Sequence, residues 1–249
     1  MKSKNIILLL GLILTGCGTP HRDLDIYLCI GQSNMAGRAT IDETVADTLE
    51  HVYLFTDNPN EMWVRAANPL NKYSSIRKSL AMQKLGPAYS FAKEMAQLQP
   101  EKEIGLVVNA KGGTSINQWH PDSLFFKEAV RRTKLAMKYG QLKGVIWHQG
   151  CADSRRWDSY LPKLKYMVAQ LRLALGDPDL PIVVGQLSYD KPFRKSFNEM
   201  LLDVPDSINH SAVVSSEGLS TIDKTHFDTK SQIIFGKRYA DKMIDLIEN

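Results

Sequence analysis

Four short polar stretches carry residue types from which acyl-transfer chemistry can be built. In Gly31-Gln32-Ser33-Asn34-Met35 a serine follows directly on an apolar run, in a turn opened by glycine. That position presents a hydroxyl as a nucleophile, although a serine at a strand-to-turn junction is more often structural. The glycine spacing is not that of the G-x-S-x-G elbow. In Asp223-Lys224-Thr225-His226-Phe227 a carboxylate stands three residues before a histidine. One turn of chain then lets the acid hold the imidazole through Nδ1 and leaves Nε2 to take a proton. Gly112-Gly113-Thr114-Ser115-Ile116 brings paired glycines, whose backbone N–H groups can approach a developing oxyanion; alone it also reads as a tight turn. Trp147-His148-Gln149-Gly150 adds the Gln149 amide as a further donor. His148 and Cys151 stand three apart, as metal ligands can. No second His/Cys pair accompanies them, so no metal is expected and His148 reads as a packed strand-end residue.

These stretches need elements that bring them together. Apolar runs at 25–30, 52–55, 104–109, 144–148, 182–187 and 212–215 read as strands. Between them lie amphipathic stretches. Gly86-Pro87 opens a helix to about Gln97, Asp122 caps one to about Tyr139, and Asp158 caps one that stops at Gly176. In the last of these, Leu161, Leu164, Met167, Val168, Leu171 and Leu175 recur every three or four residues and mark one buried face. Further helices are expected at about 193–203 and 229–247. Strands alternating with helices argue for an α/β fold, a mostly parallel sheet covered on both faces. Such a sheet binds ligands beyond the carboxyl ends of its strands. Each of the four polar stretches follows a strand, so all four should meet at one sheet edge.

Taken in order, GQSNM, GGTSI-x-x-W, WHQG and D-x-x-HF resemble the SGNH/GDSL-type hydrolases. More narrowly, they are similar to the sialate O-acetylesterase-like branch, which includes the carbohydrate esterase family six acetylxylan esterases. The resemblance spans about residues 25–245. It implies a flavodoxin-like three-layer sandwich with a mostly parallel central sheet of about five strands. It implies a serine esterase that removes O-acetyl groups from carbohydrates without a cofactor. Carried onto this chain, Ser33 is the nucleophile, His226 the base and Asp223 its partner. The oxyanion hole is then the Ser33 N–H, the Gly113 N–H (with Gly112 as the alternative) and the Gln149 side chain. Gln32, Asn34 and Trp119 are the candidate substrate contacts, with Trp119, Trp157 and Tyr189 either a sugar platform or half-buried core. The chain departs from the family at one position, where Cys151 replaces the glutamate of the common WHQGE. Two rival readings are a carbohydrate-binding lipoprotein on a disabled hydrolase fold and a lipid or aryl esterase.

The first residues carry a different signal. MKSKN is basic, Ile6–Gly16 is apolar but too short for a permanent span, and Leu14-Thr15-Gly16-Cys17 resembles a bacterial lipobox. Residues 1–16 are expected to be a lipoprotein signal peptide, Cys17 the lipidated residue, 17–24 a tether and 25–249 one domain. The protein would then be exported and held by its lipid on the periplasmic side of a membrane or the cell surface. The 31 basic and 27 acidic residues give +4, and removal of Lys2 and Lys4 leaves +2. That balance gives no nucleic-acid surface. Cys29 and Cys151 remain, as buried thiols or as a pair formed in an oxidising compartment.

Overall fold

The computed structural model describes residues 23–248. The leader, Cys17 and most of the tether lie outside the described residues. Seven strands form one sheet: β1 (Leu24–Gly31), β2 (Val52–Phe55), β3 (Trp63–Arg65), β4 (Glu103–Ala110), β5 (Gly140–His148), β6 (Ile182–Gly185) and β7 (Ser211–Val214). Their order across the sheet is β3-β2-β4-β1-β5-β6-β7. Every neighbouring pair is parallel except β2 and β3. The sheet is therefore larger than the expected five strands. The added edge strand β3 is three residues long and only partly buried, so it carries no apolar run in the sequence.

The helices are α1 (Ser33–Ala36), α2 (Ala88–Leu98), α3 (Leu124–Ala136), α4 (Tyr160–Leu175), α5 (Arg194–Leu201), α6 (Val204–Ser207) and α7 (Thr229–Glu248). They cover both faces. β1 shows why its sequence is apolar from Ile26 to Ile30, past the single charge of Asp25. Leu24, Ile26, Leu28 and Ile30 join one core cluster with Phe126, Leu164, Met167 and Leu171 from α3 and α4. The alternate residues Tyr27 and Cys29 join the other, with Phe91 and Met95 of α2 and Phe235, Tyr239 and Met243 of α7. Successive strand side chains point to opposite faces, so a central strand covered on both sides has no polar face to show.

Two helix starts differ from the expected caps. Ser123, not Asp122, caps α3 by accepting from the Phe126 N–H at 3.3 Å. Asp158 falls within a short 3-10 segment, Ser154–Ser159, so α4 begins after it. Gly176 ends α4 in the left-handed conformation as its position suggested.

The register aligns the strand ends. Gly31 pairs with Ala110 of β4 on one side and His148 of β5 on the other. Gly31 has φ +137, and a Cβ there would lie 2.2 Å from the His148 carbonyl oxygen. Only glycine permits that approach. It brings the turns after β1, β4 and β5 side by side at the carboxyl edge of the sheet.

Candidate active site

Ser33 opens α1 immediately after the β1 turn. Its Oγ lies 2.9 Å from His226 Nε2, and His226 Nδ1 lies 2.6 Å from Asp223 Oδ2. Residues 193 positions apart in sequence thus meet in one hydrogen-bonded chain. The Asp223 carboxylate divides its oxygens. Oδ2 accepts from the ring, while Oδ1 accepts from the Thr225 and His226 N–H groups at 3.0 and 2.8 Å. Partial burial pushes the Asp223 carboxyl up, but the hydrogen bonds from His226 and Thr225 outweigh it and hold the group below its ordinary value. A serine hydroxyl on Nε2 and a charged acid on Nδ1 are what a histidine base requires.

The loop bearing Asp223 and His226 is fixed from several sides. Asn34 donates through Nδ2 to the Thr225 carbonyl at 3.0 Å and accepts from the Phe227 N–H at 3.1 Å. The residue beside Ser33 therefore clamps the backbone on both sides of His226. Arg194, buried at the start of α5, donates to the Lys224 carbonyl and the Thr225 hydroxyl from beneath. Phe227 anchors the far side, edge-on to His148 and packed on Phe235.

Gln32, on the other side of Ser33, performs the matching task. Its Oε1 accepts from the Gly150 and Cys151 N–H groups, each at 3.0 Å. It is 2 % exposed and Asn34 1 %. Both therefore hold the Ser33 turn to its neighbours, which corrects their assignment as substrate contacts. Trp119 is corrected likewise. It is fully buried against Trp147, with its indole N–H on Thr114 Oγ1. Trp157 and Tyr189 remain 42 % and 46 % exposed.

Gln149 is also placed differently from the expectation. It is completely buried, and its Nε2 donates to the Thr114 carbonyl at 2.8 Å and to Asp153 Oδ2 at 2.7 Å. An amide nitrogen has two protons, so both are taken. The same Asp153 oxygen accepts from the Ile116 N–H at 2.9 Å. Asp153, two residues past Cys151, thus ties the turn after β5 to the turn after β4. By contrast, the N–H groups of Ser33, Gly112 and Gly113 have no acceptor among the described residues. Gly112 lies directly against Ser33, whose Cβ is 3.2 Å from where a Gly112 side chain would begin. Gly113, with φ +79, faces Lys78 instead.

The remaining candidates are structural. His148 Nε2 meets the Gln186 carbonyl at 3.0 Å, and burial pushes its imidazole down to about 4, so it is neutral. No cluster of three potential metal ligands occurs among the described residues. Cys29 and Cys151 are both free thiols. Asp153 and Arg194 were not singled out from the sequence. A lone acid in a turn and a lone base in an amphipathic helix look like surface residues until their partners are known.

A family model described as carbohydrate esterase, sialic acid-specific acetylesterase matches residues 23–245. A protein of Arabidopsis thaliana described as a probable carbohydrate esterase is 27% identical over 234 residues, covering 86% of this chain and 88% of its own. The solved structure of a protein from Arabidopsis thaliana aligns with a TM-score of 0.81 at 24% identity, over 90% of this chain and 99% of the other. A variant of an acetyl xylan esterase from Geobacillus stearothermophilus aligns with a TM-score of 0.53 at 13% identity, over 89% and 95%. At these identities the two structures speak to the fold.

Proposed function

The chain belongs to the carbohydrate esterase, sialic acid-specific acetylesterase family, and we propose that it removes O-acetyl groups from carbohydrates with Ser33 as nucleophile, His226 as base and Asp223 as the partner of that base. The observation that carries this reading is the continuous chain Ser33 Oγ, His226 Nε2, His226 Nδ1, Asp223 Oδ2, at 2.9 and 2.6 Å. Ser33 Oγ attacks the acetyl carbon as His226 takes its proton. The carbonyl oxygen becomes an oxyanion facing the unengaged N–H groups of Ser33 and Gly112. Collapse of the tetrahedral intermediate expels the sugar alkoxide, which takes the proton from His226. Water then attacks the acetyl-serine by the same route and releases acetate.

Carbohydrate as the alcohol is supported by the family and by the site's form. Ser33 sits at the carboxyl edge of the sheet, and Trp157 and Tyr189, both half-exposed, carry rings of the kind that stacks on a sugar. The test is acetate release from acetylated xylan, acetylated sialic acid and an aryl acetate. Wild type should release acetate from at least one carbohydrate, and folded Ser33→Ala from none. Turnover by Ser33→Ala near the wild-type kcat would exclude the mechanism.

A further inference from the structure

The commitment of Gln149 leaves the oxyanion hole with two backbone donors, and a third group stands ready beside them. Arg38 follows α1 by two residues and is half-buried. Its Nη1 donates to the carbonyls of Gly37 and Met82, at 2.5 and 2.9 Å. Those two bonds fix the plane of the guanidinium. Nη2 then points at the turn beside the nucleophile. The position a Gly112 Cβ would occupy lies 2.8 Å from Arg38 Nη2 and 3.2 Å from Ser33 Cβ. Glycine at 112 keeps open a space that the serine bounds on one side and the guanidinium on the other. No protein acceptor engages Nη2, and no carboxylate pairs with Arg38 among the described residues. Burial without such a partner pushes the guanidinium pKa down from its ordinary value. An arginine nevertheless stays protonated near neutral pH.

Building on the reading of Ser33 as nucleophile, we propose that Arg38 is a catalytic residue whose Nη2 donates to the acyl oxygen as it becomes an oxyanion. A fixed positive donor next to the attacked carbonyl interacts most strongly when the oxygen carries full charge. That makes it a transition-state contact rather than a ground-state one. Gln149 then acts as a positioning residue, holding the Thr114 carbonyl and Asp153 so that Gly112 stays against Ser33.

The experiment uses the purified chain and an uncharged aryl acetate, so that no substrate anion can account for an effect. Wild type must turn over and Ser33→Ala must not; failure here removes the nucleophile reading before Arg38 is considered. Given that control, Arg38→Met and Arg38→Ala, checked for folding by circular dichroism, should lose about 10²–10³ in kcat with KM within a few-fold. Arg38→Lys keeps a cation and should recover part of the loss. Added millimolar guanidinium should raise the kcat of Arg38→Ala while leaving wild type unchanged, an effect that a merely structural arginine would not give. Folded Arg38→Met with kcat within about threefold of wild type would overturn the proposal, as would a loss in KM alone. If neither neutral variant folds, Arg38→Lys decides: a fall in kcat at constant KM supports the proposal, and unchanged kcat rejects an oriented guanidinium donor.

Discussion

At the scale of single residues, Asp223 ties its own loop and the imidazole together. Its Oδ1 organises the backbone of residues 225 and 226, and its Oδ2 fixes the tautomer of the ring. Asp223→Asn preserves the shape but replaces an acceptor that carries charge with an amide. In the chymotrypsin-type template the equivalent change costs about 10⁴ in kcat. Asp223 is half-exposed, so its charge is partly screened by water. A loss of at least roughly 10² is therefore expected by that analogy, in a protein that still folds. Cys151→Ala should stay within about threefold of wild type, since a thiol raised in pKa by burial is a poor acceptor. Steady-state kinetics on both variants checks this, and the reverse pattern would reassign the partner of His226. The spacing of Asp223 and His226 was legible because three residues of chain dictate their proximity. The directions of Gln32, Asn34 and Trp119 were not. A place in a polar stretch says nothing about which way a side chain turns, and all three turn inward to bind the protein itself.

At the scale of elements, β5 ends on a histidine that never meets water. His148 packs edge-on to Phe227 and Phe235, so it supports both the loop carrying His226 and the first half of α7. Its imidazole pKa falls from 6.5 to about 4 because burial penalises the charged ring. Between those values the unfolded chain binds a proton that the folded chain does not. Stability therefore drops as pH falls from about 6.5 to about 4, by roughly 3 kcal/mol in all, and this contribution is constant below that window. Urea unfolding at pH 7 and pH 4.5 should show a larger loss for wild type than for His148→Gln. Equal losses would show that another group titrates. Strands and long helices were readable because two-sided burial demands apolar runs, and one-sided burial demands a period near 3.6. The edge strand β3 was invisible for the same reason, since Trp63–Arg65 pairs with one neighbour and buries too little to leave a pattern.

At the scale of the whole molecule, the order of the elements has a temporal consequence. Ser33 follows β1, while His226, its hydrogen-bond partner, arrives in the loop before α7. During synthesis the ribosome therefore releases Ser33 long before His226. The loop that carries His226 is in turn completed by α7, which supplies Phe235 behind Phe227 and the Gln232 amide beside Asn34. A nascent chain holds Ser33 without a placed His226 until the residues of α7 have left the exit tunnel and packed. A chain stopped after Asp228 should possess all three polar groups and yet hydrolyse no aryl acetate. Activity from that shortened chain would mean that α7 is dispensable to the geometry. On that expectation the molecule stays silent while incomplete, and copies that lack α7 should hydrolyse no ester.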